Sequence, residues 1–263
     1  MQAPESFFQA TSSKTSPQQS SEHVVFCDFD GPIVDVSERY YRAYRKGLLA
    51  IADICWQQHS VALTMKPLPK SLFWQQKQSR VADIELALCS GIPAKWFELY
   101  MQQIEALVNH DSLLRWDNVQ PSAEAALSYL KQANMRLVLV TLRHSRQVNV
   151  FLRAKGLAHL VDAVYGASTV EAAHRNRVEL KRELLMTAVV EQQAQGYCTS
   201  QSWMVGDTEA DVLAAKEIGL CSVALSCGVR SEAYLRSLKP TKLCSELFTA
   251  AQAVVEKTAL QAA

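Results

Sequence analysis

The chain lacks an excess of charge of either sign, because its 263 residues carry 27 basic and 26 acidic side chains. A net charge of +1 creates no long-range field that would attract nucleic acid or an anionic membrane surface. We therefore expect neither nucleic acid nor a membrane among its partners. A local basic pocket is still compatible with this balance.

Long hydrophobic runs are missing too, and no apolar stretch reaches the roughly 18 residues of a transmembrane helix. The first 22 residues are rich in Gln, Ser and Thr, and they have neither the basic start nor the apolar centre of a secretory signal. We predict that residues 1–22 form a disordered leader.

Closely paired cysteines are absent: the seven cysteines form no CxxC motif, and several lie within apolar runs. This arrangement is typical of buried, reduced thiols. We therefore expect a cytoplasmic protein. A composition of 49% hydrophobic and 20% charged residues is ordinary for a soluble protein.

Candidate chemistry begins in residues 23–35, which read HVVFCDFDGPIVD. The apolar run 24–27 stops at turn signals, a pattern that predicts a short strand buried on both faces. Asp28 and Asp30 follow directly after it. Ligands bind at the carboxyl ends of the strands in open α/β sheets, and a carboxylate pair there can hold a divalent cation. The sequence therefore predicts a site at this edge of a sheet.

A long helical region comes next. From residue 36 the apolar side chains follow helical spacing, and no convincing strand precedes residue 136. A crossover between parallel strands needs only about a dozen residues, far fewer than this region contains. We predict a separate helical unit of residues 36–118, inserted into an α/β core of residues 23–35 and 119–263.

Apolar runs that predict further strands recur after this region, separated by helical stretches. They lie at residues 137–140, 161–165, 202–205 and 221–225, with a short edge strand at 242–244. This alternation predicts an α/β fold with a doubly wound, mainly parallel sheet.

Polar residues follow two of these strands. Thr141 ends the run 137–140, and Asp207 lies just past the strand that starts at residue 202, with Asp211 one helical turn later. The strand ends place Asp207 at the same edge of the sheet as Asp28. The simpler alternatives are that Thr141 only ends its strand and that Asp207 or Thr208 only caps the next helix.

Four short motifs thus occur in a fixed order along the chain. They are Asp28-Phe29-Asp30-Gly31 followed by Asp35, then Thr141, then Lys181, and then Gly206-Asp207 with Asp211. Together they resemble the motifs of the haloacid dehalogenase superfamily of phosphatases and related enzymes, over residues 23 to about 258. The resemblance implies a Rossmann-like core and a helical cap of the C1 type, which closes over the site and selects the substrate.

The same resemblance implies catalytic roles. Asp28 would be the nucleophile that forms an aspartyl-phosphate, and Asp30 the general acid and base. Thr141 and Lys181 would hold the phosphoryl oxygens. Hydrolysis of a carbon–halogen bond needs no acid for a leaving alcohol, so the presence of Asp30 favours phosphate chemistry over dehalogenation.

A metal is implied as well. Mg²⁺ suits hard oxygen ligands, and the resemblance assigns them to Asp28, to the backbone carbonyl of Asp30 and to Asp207. Asp211 would support the metal or its waters. Mg²⁺ is therefore the expected cofactor.

Several assignments stay open at this point. Leu142 departs from the Asn or Ser that is more usual after the motif threonine, and Pro32 replaces a more usual threonine. Three arginines compete with Lys181 for the role of the basic residue that holds the phosphoryl oxygens: Arg175, Arg177 and Arg182. It is also open whether the side chains after Leu142 add positive charge to the site or begin a solvated helix: Arg143, His144 and Arg146. Three residues of the helical unit could face the site: Arg39, Tyr41 and Arg42.

The expected function is that of a Mg²⁺-dependent phosphatase of a small phosphorylated metabolite, with phosphoglycolate and sugar phosphates as first candidates because relatives with this cap type act on them. One alternative is a phosphomutase of the β-phosphoglucomutase type, which passes the phosphoryl group to a second hydroxyl. Another is a non-catalytic binding or regulatory protein. The sequence leaves the oligomeric state open.

Overall fold

The computed structural model describes residues 22–170 and 172–262. The predicted leader, residues 1–22, lies outside the described residues except for Glu22, whose carbonyl accepts a hydrogen bond from the Cys198 N–H at 3.0 Å. Among the described residues, no helix is both long and apolar enough to cross a bilayer.

A parallel sheet forms the centre of the molecule. The strands are β1 (His23–Cys27), β2 (Val34–Asp35), β3 (Asn118–Val119), β4 (Met135–His144), β5 (Ala163–Ala167), β6 (Cys198–Gly206), β7 (Cys221–Leu225) and β8 (Lys242–Cys244). Within the described residues, six of them form one sheet in the order β5-β4-β1-β6-β7-β8, and every neighbouring pair is parallel. The predicted doubly wound, mainly parallel α/β fold is confirmed.

The helices are α1 (Ser37–His59), α2 (Lys70–Gln78), α3 (Asp83–Cys89), α4 (Phe97–Val108), α5 (Asp111–Leu114), α6 (Ala123–Gln132), α7 (Ser145–Ala154), α8 (Ala172–Arg175), α9 (Val178–Ala194), α10 (Glu209–Glu217), α11 (Glu232–Ser237) and α12 (Leu247–Ala262). Helices α6, α7 and α12 pack on one face of the sheet, and α9 and α10 pack on the other. Alternate residues of β1 point to opposite faces: Val25 packs in the cluster formed with α6, α7 and α12, whereas Phe26 packs with α9 and α10. Burial on both faces explains why β1 reads as an unbroken apolar run.

The helices between β2 and β3 have an apolar cluster of their own. Tyr44 and Ile51 of α1 pack there against Phe73 of α2 and against Tyr100 and Ile104 of α4. The apolar side chains of α4 thus serve packing. Assignment of residues 36–118 as a separate domain stays a prediction.

Two details of the strand prediction are wrong. A strand precedes residue 136, because Asn118–Val119 pairs antiparallel with Val34–Asp35 where the chain leaves and re-enters the core. Thr141 also does not end its strand, since β4 continues to His144 with a register irregularity between the two residues. A two-residue strand is too short to show any periodicity, and the apolar run of β4 ends at Val140 because the strand is completed by a segment that includes the polar residues Thr141, Arg143 and His144.

Candidate active site

Asp28 is the first residue after β1, which lies between β4 and β6 in the sheet. Its N–H donates to the Val205 carbonyl of β6 at 2.8 Å, and its Oδ1 accepts from the Phe29 N–H at 2.7 Å. The Nζ of Lys181 lies 2.9 Å from the same oxygen. Because β4 and β6 flank β1 in the sheet, their carboxyl ends bring Thr141 and Asp207 to either side of this carboxylate.

Three buried carboxylates meet at this sheet edge. Asp28, Asp207 and Asp211 each offer an oxygen within 4.8 Å of the others. Burial, together with Asp211 and Asp28, raises the pKa of Asp207 well above its ordinary value. Burial likewise raises the pKa of Asp28 to about 7, against the opposing effect of Lys181. These shifts show that negative charge is costly here until a cation compensates it.

The surroundings of the Asp207 carboxylate fit a metal ligand. Its Oδ2 accepts the Val229 N–H at 2.5 Å, whereas its Oδ1 is buried without a hydrogen-bond partner. A Cβ on Gly31 or Gly228 would lie 2.1 or 2.0 Å from Oδ2, so these two glycines leave the space that the carboxylate fills. A buried oxygen without a donor, beside a second carboxylate, fits a hard divalent cation such as Mg²⁺.

Asp211 is committed to protein partners. Its Oδ2 accepts from the N–H of Thr208 at 3.0 Å and from its hydroxyl at 2.9 Å, at the start of α10. Its Oδ1 lies 2.7 Å from the Lys181 Nζ. Of the two residues considered as helix caps, Thr208 is the one that caps α10, together with Asp211, whereas Asp207 lies in the carboxylate cluster. Oδ2 of Asp211 thus caps α10, whereas Oδ1 is ion-paired with Lys181 and has no hydrogen-bond partner among the described residues.

Lys181 lies in the first turn of α9 and its side chain is 1% exposed. Burial would lower its pKa, but Asp211 and Asp28 raise the pKa above its ordinary value, so the ammonium is retained. The arginines that competed with it in the sequence are instead ion-paired with glutamates: Arg175, Arg177 and Arg182. Among these four basic residues, the structure brings Lys181 to Asp28.

A small cavity of about 60 Å³ opens in front of Asp28 and Thr141. A single water molecule requires roughly 10–15 Å³ of such volume, so the cavity accepts a group of a few heavy atoms. Thr141 is buried in its wall, and its Oγ1 accepts the Arg143 N–H at 3.2 Å. Wall residues that the sequence analysis did not single out are Tyr40, Lys77, His174, Asn176 and Arg230. They come from α1, α2, α8 and loops of the core, and no local motif marks them.

Asp30 lies two residues beyond Asp28 and faces two guanidinium groups. The Arg39 Nη2 lies 2.9 Å from its Oδ2, and the Arg143 Nη2 lies 2.7 Å from its Oδ1. Burial alone would raise the pKa of Asp30, but Arg143 and Arg39 hold that pKa below its ordinary value. The side chain is therefore a carboxylate in this arrangement, which is the form that accepts a proton.

The helical-unit residues suggested as site-facing divide into two groups. Arg39 reaches Asp30, as described above. Tyr41 instead donates from its hydroxyl to the Leu68 carbonyl at 3.1 Å, and Arg42 pairs with Glu38 at 2.6 Å. Arg143, considered as the possible start of a solvated helix, is buried within β4.

Because a side chain at position 228 would displace Asp207, we expect Gly228→Ala to raise the Mg²⁺ concentration that half-saturates activity by at least about tenfold. Titration of activity with Mg²⁺ measures the change. The control is Gly219→Ala, where a Cβ meets nothing within 4 Å although φ is +77°. Equal Mg²⁺ requirements in both variants would count against Asp207 as a ligand.

Comparison with known proteins agrees with this geometry. The family model of the haloacid dehalogenase-like hydrolases matches residues 23–219. A phosphoglycolate phosphatase of Colwellia psychrerythraea (strain 34H) is 25% identical over 207 residues, which is 79% of this chain and 85% of the relative. Two solved structures share the fold. A predicted phosphatase from Clostridium acetobutylicum has a TM-score of 0.63 and 17% identity, and the match covers 90% of this chain and 100% of that chain. A putative phosphatase from Clostridium difficile has a TM-score of 0.66 and 15% identity, with the same coverage of both chains. The chain therefore belongs to the haloacid dehalogenase-like hydrolase family.

Proposed function

We propose that this hydrolase is a Mg²⁺-dependent phosphatase that acts on a small phosphorylated metabolite. The observation that carries the proposal is the position of Asp28, between the ammonium of Lys181 and the buried, unpartnered oxygen of Asp207, at the wall of a small cavity. A carboxylate nucleophile approaches a phosphate anion only where nearby positive charge compensates the repulsion. The phosphoglycolate phosphatase relative supports the substrate class.

In the first step, an oxygen of Asp28 attacks phosphorus while the bond from phosphorus to the alcohol oxygen breaks. We assign the attack to Oδ2, since Oδ1 is held by the Phe29 N–H and by Lys181. Lys181 and the hydroxyl of Thr141 hold the phosphoryl oxygens. Mg²⁺, held by Asp28 and Asp207, would supply positive charge to the phosphate.

Asp30 moves the protons. In the first step its carboxyl gives a proton to the departing alcohol oxygen, and in the second its carboxylate takes one from the water that attacks the aspartyl-phosphate. The two guanidinium groups favour the carboxylate needed for the second step. The negative charge of an arriving phosphate opposes them, and so promotes the protonated form required for the first.

Phosphoglycolate and sugar phosphates are the first substrate candidates. The helices between β2 and β3 supply Tyr40 and Lys77 to the cavity wall, which supports a cap role for them in selecting the substrate. A screen of phosphorylated metabolites in Mg²⁺, ranked by kcat/KM, tests the proposal. We expect release of inorganic phosphate from small monoesters, and failure with every monoester would contradict it.

Mg²⁺ binding should weaken as the pH falls below about 7. Because the pKa of Asp28 is raised to about 7 in the metal-free protein, protons compete with the cation below that pH and cease to compete above it. We expect Mg²⁺ to raise the melting temperature more at about pH 8 than at about pH 6 at equal concentration. Thermal unfolding without substrate measures this, and an equal shift at both pH values would contradict the assignment of Asp28 as a ligand.

A further inference from the structure

Four charged side chains form a closed ring behind the cavity: Asp30, Arg39, Asp117 and Arg143. Arg39 lies 2.9 Å from Asp30 and 2.8 Å from Asp117, and Arg143 lies 2.7 Å from each of the same two carboxylates. The charges alternate around the ring and sum to zero. Each guanidinium bridges two carboxylates, and each carboxylate receives two guanidiniums.

The side chains of the ring are almost completely buried. The side chains of Arg39 and Asp117 are 0% exposed and that of Arg143 is 1% exposed, whereas Asp30 retains 15%. Only Asp30 and Arg143 of the four line the cavity in front of Asp28. The ring thus fixes Asp30 from behind and leaves its open side toward the cavity.

Arg39 also joins Asp30 to the helices between β2 and β3. It lies in the first turn of α1, and its Nη1 donates to the Val108 carbonyl at 3.0 Å and to the Oδ1 of Asn109. Asp117 directly precedes β3, where the chain returns to the core. The ring therefore crosses the junction of the core and these helices.

We propose that Arg39 and Asp117 are positioning residues for proton transfer by Asp30, an inference that rests on the proposed phosphatase function. Arg39 contributes to the hydrogen bonds that fix the Asp30 carboxylate, and Asp117 orients both guanidiniums. Neither touches the reacting atoms. Removal of Arg39 leaves Asp30 held by Arg143 alone, and removal of Asp117 leaves both guanidiniums without their second carboxylate, so in either case Asp30 is less firmly oriented toward the alcohol oxygen.

The dependence of the hydrolysis rate on the leaving group distinguishes this positioning role from a purely structural role. When the bond from phosphorus to oxygen breaks, an alkyl alcohol needs a proton from Asp30, whereas p-nitrophenolate leaves as a stable anion without one. Displacement of Asp30 slows release of the alcohol, while a general disturbance of the site slows both reactions alike.

The experiment compares kcat/KM for β-glycerol phosphate and p-nitrophenyl phosphate in Arg39→Lys, which keeps the buried charge, and in Asp117→Asn. This parameter reports on the step that releases the alcohol and excludes hydrolysis of the aspartyl-phosphate, which both esters share and in which Asp30 also acts. We expect kcat/KM for the alkyl ester to fall about 10²-fold, the scale of a misplaced catalytic group, and kcat/KM for the aryl ester to stay within about threefold. The matched control is Arg42→Lys, from the same helix but paired with Glu38, which should leave both rates unchanged.

Equal losses with both esters, or no loss with either, would overturn the proposal. A wild-type protein that hydrolyses neither ester contradicts the proposed function instead, and the two failures are thereby separated. If a single variant does not fold, the double variant Arg39→Gln with Asp117→Asn removes opposite charges together and is judged by the same ratio of rates. Failure of all three to fold assigns the ring to stability and likewise overturns the proposal.

Discussion

Asp28→Asn is expected to lower kcat for p-nitrophenyl phosphate in Mg²⁺ by at least about 10³-fold, because an uncharged amide oxygen is a poor nucleophile toward phosphorus. The amide has the shape of the carboxylate, so the fold should persist. It also removes a buried charge that lies beside Asp207 and Asp211. The metal-free variant should therefore melt no lower than the wild type. Phosphate release and thermal unfolding measure the two effects.

The control for this variant is Asp35→Asn in the same stretch of sequence. Asp35 accepts the Ser37 N–H at 2.9 Å at the start of α1 and does not line the cavity. We expect this variant to retain most of its activity. Turnover of Asp28→Asn close to that of the wild type would refute the nucleophile assignment.

Removal of the metal is the second change with a large expected effect. Three carboxylates cluster beside the ammonium of Lys181, so their full ionisation would leave a net charge of −2 before a phosphate anion arrives. A divalent cation cancels that charge. Without it, we expect kcat/KM for any monoester to fall by at least about 10³-fold, since metal and ammonium together oppose the repulsion between nucleophile and substrate.

The measurement is activity after treatment with a chelator and dialysis, followed by addition of Mg²⁺. Recovery of activity on addition is the control for irreversible unfolding. Full activity of the dialysed, metal-free protein would show that Asp28 and Asp207 do not work through a cation.

The sequence was sufficient to predict the central strands and the residues that follow them. β1 and β6 are buried on both faces, and this burial appears in the sequence as apolar runs that stop at Asp28 and just before Asp207. Asn134 and Gly219 follow the ends of α6 and α10 and adopt left-handed φ angles of +54° and +77°, a conformation in which asparagine and glycine commonly end helices. Local patterns predict such features because their physical causes are local.

The ring around Asp30 was beyond sequence analysis for the opposite reason. Arg39 and Asp117 are 78 residues apart, and Arg143 and Asp30 are 113 apart. No spacing within a helix or strand encodes such pairs. A buried arginine also has the same local signature as a solvated one, so Arg143 looked like part of an exposed helix start.

For Asp211 the sequence predicted the position of the side chain but not its contacts. Its spacing from Asp207 correctly placed it near the carboxylate cluster, but the sequence did not reveal that Thr208 and Lys181 occupy both of its oxygens. Proximity follows from helical geometry, whereas the choice between metal ligand and scaffold depends on contacts with α9. Direct metal binding by Asp28 and Asp207 is therefore our proposal, and the expected ligation by the backbone carbonyl of Asp30 and support of the metal or its waters by Asp211 stay predictions.

The central claim is that Asp28 receives the phosphoryl group beside a cation that it shares with Asp207. A crystal structure with Mg²⁺ and trifluoroberyllate, which mimics a phosphoryl group on a carboxylate, tests it most directly. We predict beryllium bonded to an Asp28 oxygen and Mg²⁺ at about 2.1 Å from oxygens of Asp28 and Asp207. Beryllium on another residue, or a cation that contacts neither carboxylate, would contradict the account.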